Sequence, residues 1–215
     1  MGLINQSYIE DYIRDLLPKR EGILKELEDF AKENSVPIIH PEVAKLIEII
    51  LKTGTYKTIL EIGTAIGYSS ILFANTNPDI CIDTMEINED MIRLALNNIE
   101  RASLTDRINI IPGDATENIK KIDKKYDVIF LDGAKGHYIH ILEECISLLN
   151  PGGMIISDNV LFRGMVASNE LVKRRKITIV KRMRKYLEAL SSDSRLETSV
   201  VPIGDGLALT LVKES

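Results

Sequence analysis

Leu60-Glu61-Ile62-Gly63-Thr64-Ala65-Ile66-Gly67-Tyr68-Ser69 joins an apolar run to a helix-forming one across two glycines. A strand that turns sharply into a helix needs residues without bulky Cβ groups, and a bare backbone at a helix N-terminus lets a ligand approach closely. Gly63 and Gly67 meet that need. The pair alone is a weak signal, because any tight strand-to-helix connection can hold two glycines, and Ala65 stands where the dinucleotide fingerprint has its middle glycine. The decision comes from what lies on either side.

Downstream, short apolar runs at 58–62, 80–85, 108–111, 128–131 and 154–157 alternate with amphipathic stretches. That alternation is the pattern of a parallel sheet with helices on both faces. Upstream, helices are expected over 4–17, stopped by Pro18, over 21–33 with an apolar face of Ile23, Leu24, Leu27 and Phe30, and over 42–51. These form a helical N-terminal part, 1–55. Near the other end, 196–203 and 207–212 are joined across Gly204-Asp205-Gly206, which reads as an antiparallel hairpin at the sheet edge. No internal repeat, linker or low-complexity segment interrupts the chain, so a single α/β domain over 1–215 is expected.

Composition agrees. The 215 residues are 45% hydrophobic and 27% charged, the balance of one globular domain with a sizeable core. There is no apolar run of membrane-spanning length and no charged segment followed by an apolar one at the start, so a soluble, cytoplasmic protein without membrane contact is expected. Cys81 and Cys145 sit in apolar stretches and read as small buried hydrophobes rather than a disulfide or metal site. The net charge of −5 is unevenly spread. Residues 170–190 hold eight cations against Glu170 and Glu188, a net of +6, which leaves −11 on the remainder. One acidic body carries one basic helix.

In such sheets ligands bind beyond the carboxyl ends of the strands. Glu86 ends the second strand 23 residues after Gly63, where an acidic side chain accepts from a ribose diol, and Gly113-Asp114-Ala115 ends the third, where adenine contacts fall. Dinucleotide and S-adenosylmethionine (SAM) sites share this layout. A pyrophosphate is anionic, whereas SAM brings a sulfonium and an ammonium group, and Glu61 suits the second better. SAM is the expected cofactor, with Glu61, Gly63, Gly67, Glu86, Asp114 and Ala115 about it.

The fourth strand ends in Asp132 and the fifth in Asp158-Asn159, so three oxygen-bearing side chains should converge beside the cofactor loop. Three hard donors without His or Cys suit Mg²⁺, or another divalent cation such as Mn²⁺ or Ca²⁺, and not zinc. The alternative is that Asp and Asn at strand ends merely start turns and cap helices. Lys135, in Asp132-Gly133-Ala134-Lys135-Gly136-His137-Tyr138, is placed to act as a base or to orient a hydroxyl, or else is a solvated loop lysine. His137 and Tyr138 read as packing or lining residues.

These segments resemble a known family. The run from Leu60 to Ser69, the Asp132-to-Tyr138 segment and Ser157-Asp158-Asn159-Val160-Leu161 are similar to the cation-dependent O-methyltransferases, the group of catechol and caffeoyl-CoA O-methyltransferases. More narrowly, Val36-Pro37-Ile38, Asp158-Asn159-Val160-Leu161-Phe162-Arg163-Gly164 and Pro202-Ile203-Gly204-Asp205-Gly206-Leu207 resemble the bacterial tRNA 5-hydroxyuridine methyltransferases, which make 5-methoxyuridine at the wobble position. The resemblance implies a Rossmann-like class I methyltransferase sheet of seven strands, mostly parallel with the last antiparallel, and often a homodimer. It assigns Asp132, Asp158 and Asn159 to the metal, adds Ile38, Ser69 and Asp132 to the SAM surroundings, and gives Lys135 and Asp132 to catalysis.

The expected acceptor presents two adjacent oxygens, as both a catechol and a 5-hydroxyuridine do, so the transfer chemistry alone does not separate them. The basic helix favours tRNA. Ile177, Val180, Met183, Leu187 and Leu190 would pack it on the body, leaving Lys173, Arg174, Arg175, Lys176, Lys181 and Arg182 for phosphates. A small catechol-like or phenolic acceptor is the alternative. A non-catalytic RNA-binding module is opposed by the intact Asp132, Asp158, Asn159 and Lys135.

Overall fold

A computed structural model describes residues 4–213, so the first three and last two positions of the domain expected over 1–215 lie outside the described residues. Three helices come first, α1 (Ser7–Asp15), α2 (Gly22–Asn34) and α3 (Pro41–Thr53). Then follow β1 (Thr58–Ile62), α4 (Tyr68–Ala74), β2 (Cys81–Glu86), α5 (Glu89–Arg101), β3 (Ile108–Pro112), the short α6 (Ala115–Asn118), β4 (Tyr126–Leu131), α7 (Tyr138–Leu148) and β5 (Leu149–Ser157). The last elements are α8 (Ile177–Ser192), β6 (Leu196–Val201) and β7 (Leu207–Val212).

The seven strands lie in the order β3-β2-β1-β4-β5-β7-β6. Pairings from β3 to β5 are parallel, and β7 runs antiparallel to both β5 and β6. The final hairpin therefore inserts its second strand against the parallel sheet and leaves β6 at the rim. Two apolar layers cover the sheet: α2 to α5 bury Leu27, Ile47, Phe73 and Ile99 on one face, while α7 and α8 bury Ile141, Met183 and Tyr186 on the other. Leu27, Ala31, Val43, Ile47 and Leu51 of the helical N-terminal part share the first of these cores with Ile59 and Phe130 of the sheet.

The N-terminal helices are also held by charge. Arg14 grips Glu42 through two hydrogen bonds of 2.8 and 2.7 Å, and Arg20 grips Glu48 through two of 2.9 and 2.8 Å, with Lys45 on the same carboxylate. Burial alone would raise both carboxyls, but the guanidinium partners outweigh it and hold both below their ordinary range. No helix among the described residues is long and apolar enough to cross a membrane.

The basic segment departs from expectation. Residues 170–190 do not form one helix: Asn169–Leu171 and Arg174–Lys176 are single 3-10 turns, and the α-helix begins only at Ile177. Four consecutive cations with no acidic residue in the first turn oppose the positive end of a helix dipole, so the regular helix starts after them. The buried stripe of α8 is Val180, Met183, Tyr186 and Leu190, whereas Ile177 is exposed. The first helix is likewise shorter than the expected 4–17.

Candidate active site

The carboxyl ends of β1, β2, β3, β4 and β5 open on two adjoining cavities. The first, about 180 Å³, is lined by Gly63, Glu86, Ile87, Asp114, Ala115 and His137, among others. The second, about 420 Å³, is lined by Ile38, Asp132, Lys135, Asp158, Asn159 and Asp205, among others. Gly63, Glu86 and Gly133 line both, so the two are halves of one cleft. Most of the expected site residues are thus brought together.

Glu86 is fixed by three backbone donors: Ala65 N–H on Oε2 at 2.9 Å, and Ile87 and Asn88 N–H on Oε1 at 3.0 and 2.9 Å. The first of these compensates Ala65 for its left-handed backbone (φ 46°), an uncommon conformation for a residue with a side chain. A carboxylate already oriented at a strand end offers its remaining lone pairs to a diol without reorganisation. Asp114 caps α6, accepting from the Thr116 N–H at 2.7 Å and its hydroxyl at 2.6 Å, and these donors lower its pKa.

Three expected ligand partners are placed differently. Glu61 does not line the cleft: wholly buried, it accepts from the hydroxyls of Ser69, Ser70 and Thr84. Burial pushes its carboxyl up although the three hydroxyls pull it down. Its place beneath the loop makes it a tie between β1, β2 and α4 rather than a partner for a ligand's ammonium. Ser69 lines a small recess with Ile38, but its hydroxyl is given to Glu61. Gly67 begins α4 at φ 82° and faces Ala95, outside both cavities.

Gly63 adopts φ 106°, and a Cβ there would meet the Gly133 backbone nitrogen at 2.7 Å. A Cβ on Gly133 would meet Gly63 Cα at 2.9 Å. The two loops touch backbone to backbone, so the glycine after β1 serves the loop after β4 as well as any ligand. Sequence reasoning misses Gly133, because nothing local signals a neighbour seventy residues away.

Asp132 and Asp158 end neighbouring strands, the latter only 1% exposed. Burial pushes both carboxyls up; Asp158 is raised further by Asp132, and only Lys135 and the Asn159 N–H at 2.6 Å pull the other way. Two enclosed carboxylates with no hydrogen-bonded cation among the described residues favour binding one. Asn159, in the left-handed region (φ 59°), adds an amide to the cavity wall. The set of two carboxylates and an amide oxygen fits a hard divalent ion with room for water or acceptor oxygens. The set has two acidic members, and no group of three or more His, Cys, Asp or Glu suited to a metal occurs among the described residues.

Beneath this set lie two tyrosines. Tyr138 donates to the Leu131 carbonyl at 2.9 Å and reaches that of Asp158 at 3.4 Å, while Tyr186 and Ser157 share a 2.6 Å hydrogen bond. Their rings meet edge-on, with centroids 5.4 Å apart. They fix the strand ends that carry Asp132 and Asp158. Burial drives both hydroxyls up, so both stay neutral.

The basic segment touches the two loops that contribute Lys135, Asn159 and Arg163 to the second cavity. Lys176 lies over the Phe162 ring at 5.7 Å, in the loop after Asn159, and Arg182 donates to the Gly136 carbonyl at 3.3 Å, next to Lys135. Lys173, Arg174, Arg175 and Lys181 are exposed, and none of the eight cations forms an ion pair among the described residues. Arg184 is turned inward to the carbonyls of Met165 and Val166.

A sequence profile described as O-methyltransferase matches residues 17–213. The chain is 28% identical over 222 residues to the caffeoyl-CoA O-methyltransferase of Stellaria longipes, covering 96% of this chain and 90% of that one. Among solved structures, a Staphylococcus aureus protein provisionally described as a caffeoyl-CoA O-methyltransferase superposes with a TM-score of 0.89 at 36% identity, over 95% of this chain and 99% of the other. An O-methyltransferase from Bacillus cereus in complex with SAH superposes with a TM-score of 0.84 at 27% identity, over 96% and 97%.

Proposed function

The chain belongs to the O-methyltransferase family, and on that premise we propose that it moves the methyl group of SAM onto the hydroxyl oxygen of 5-hydroxyuridine at the wobble position of tRNA. The observation that carries the acceptor is the seat of the basic segment. Its unpaired cations are attached through Lys176 and Arg182 to the two loops that frame the second cavity. A polyanion docked along them is brought to that cavity, and a small phenolic acceptor has no use for them.

The cofactor half follows from the first cavity. Glu86 accepts from the ribose diol, Asp114 and Ala115 face the adenine, and Gly63 and Ile38 border the methionine end. The SAH-bound Bacillus cereus relative supports this use of the cleft. Asp132, Asp158 and Asn159 would hold a divalent cation, which supplies Lewis acidity to an acceptor's adjacent oxygens and favours the ionised hydroxyl. Lys135, in the same cavity, is placed to orient that hydroxyl or to act as its base. Tyr138 and Tyr186 keep the carboxylate-bearing strand ends in place, so catalysis is mostly positioning.

A second reading, a catechol-like acceptor, is favoured by the caffeoyl-CoA O-methyltransferase relative. Nucleoside mass spectrometry of tRNA from cells with and without the protein decides between them. Loss of 5-methoxyuridine with accumulation of 5-hydroxyuridine supports the tRNA reading. Unchanged tRNA, with methylation of small catechols by the purified protein, moves the assignment to the second.

A further inference from the structure

Asp205 belongs to none of the roles above. It sits in the turn between β6 and β7, is 5% exposed, and lines the second cavity. Its Oδ1 accepts the Arg163 N–H, and its carbonyl accepts that of Leu161 at 3.0 Å, which laces the loop after Asn159 onto the hairpin turn. No donor among the described residues reaches Oδ2, which is open to the cavity. A largely buried carboxylate with one oxygen engaged by a backbone N–H and the other open at a cavity wall can accept from a donor brought into that cavity.

Position across the sheet says which donor. Reading from β3 through β2 and β1 to β4 and β5, the strand ends serve adenine, ribose, methionine and then the acceptor oxygens, and the next strand over is β7, whose turn carries Asp205. The acceptor's edge farthest from the cofactor therefore faces Asp205. A 5-hydroxyuracil that turns its hydroxyl and adjacent carbonyl oxygen toward the cation held by Asp132, Asp158 and Asn159 has a ring N–H as its next group beyond the carbonyl. A catechol has only C–H there.

We propose that Asp205 is a specificity-determining residue whose free carboxylate oxygen accepts the ring N–H beside the carbonyl of a uracil-type acceptor, an inference that rests on the hydroxyuridine reading above. A charge-assisted hydrogen bond at the wall of this cavity discriminates, because an acceptor without the donor leaves the carboxylate without that partner.

The test uses two anticodon stem-loops, one with 5-hydroxyuridine and one with its N3-methylated form. Each is measured by kcat/KM for methylation and by affinity in the presence of SAH and Mg²⁺. Wild type prefers the N–H form by about 10²-fold. Asp205→Asn keeps an amide oxygen for the Arg163 N–H but turns an NH₂ toward the ring, so the N–H form loses most of its advantage and the ratio falls toward one. SAH affinity reports whether the variant is folded. A residue that only supports the loop would weaken both acceptors alike, so an unchanged ratio overturns the proposal. So does a wild type that treats the two stem-loops equally, whatever the variant does. A wild type that ignores both and methylates catechols removes the hydroxyuridine reading itself, and the role of Asp205 with it.

Discussion

At Glu86 three backbone N–H groups converge on one carboxylate before any ligand arrives. Glu86→Ala therefore removes a ribose acceptor and also releases the Ala65 turn. SAH affinity is expected to fall by roughly 1–3 kcal/mol, about five- to 150-fold, in calorimetry. Glu86→Gln keeps one oxygen acceptor and should lose less; equal affinity of all three proteins would mean that the ribose lies elsewhere. Asp132 and Asp158 give a second expectation. Both are raised by burial, and Asp158 by Asp132 as well, so without a cation their charges oppose folding. In excess EDTA, Asp158→Asn should melt above wild type, by about 2–4 °C for each kcal/mol of relieved repulsion. Added Mg²⁺ should raise the melting temperature of wild type alone, and methyl transfer by the variant should drop about 10²-fold or more. A wild type whose melting ignores Mg²⁺ would remove the metal from the site.

The basic segment is an element whose two halves have different duties. Lys173, Arg174, Arg175 and Lys181 are exposed, while Arg182 and Arg184 spend hydrogen bonds on loop carbonyls. Reversing the exposed four to Glu should cut tRNA methylation by about 10²-fold or more and leave SAH affinity intact. Every phosphate that the variant no longer neutralises should make the salt dependence of tRNA binding shallower by about 0.7–0.9. Equal tRNA activity in wild type and variant would refute the docking role. How this segment folds is not legible in composition, since the charge count is the same for a helix and for 3-10 turns; the dipole penalty on consecutive cations decides it. The strands and the glycine turn are legible, because apolar alternation and the absence of Cβ are local properties. The burial of Glu61 is not: two of its three hydroxyl partners, Ser69 and Ser70, lie in the same loop-and-helix run, but Thr84 comes from the next strand and the closure is tertiary. Tyr138 reads correctly as a packing residue, but its hydrogen bond and that of Tyr186 escape for the same reason, as their partners are carbonyls and a hydroxyl on other elements.

For the whole molecule, the helical N-terminal part is tied down by Arg14 on Glu42 and Arg20 on Glu48. Carboxyls held below their ordinary range contribute stability that is present above the unfolded pKa, near about 4.3, and lost as pH falls through the lower folded value. Thermal stability is thus expected to drop on acidification below about pH 4.5. Arg20→Met should cost about 2 kcal/mol at neutral pH, between the values for exposed and buried pairs, and flatten the acid limb. A melting curve series against pH on both proteins checks this, and an Arg20→Met protein with the wild-type profile would contradict it. The strand order carries a consequence for biosynthesis. Because β7 lies between β5 and β6, a growing chain finishes the strands of the cofactor half while the flank of β5, with Ile155 and Ile156, still lacks its neighbour. At ordinary translation rates the roughly fifty residues from Asn159 to Leu207 take about 2–10 s to appear. During that interval the nascent protein has an open, apolar sheet edge of the kind that recruits chaperones or aggregates. A frameshift late in the gene would freeze it there, leaving a chain able to hold its methyl donor, without the wall that receives the acceptor and without the strand that keeps its edge from other molecules.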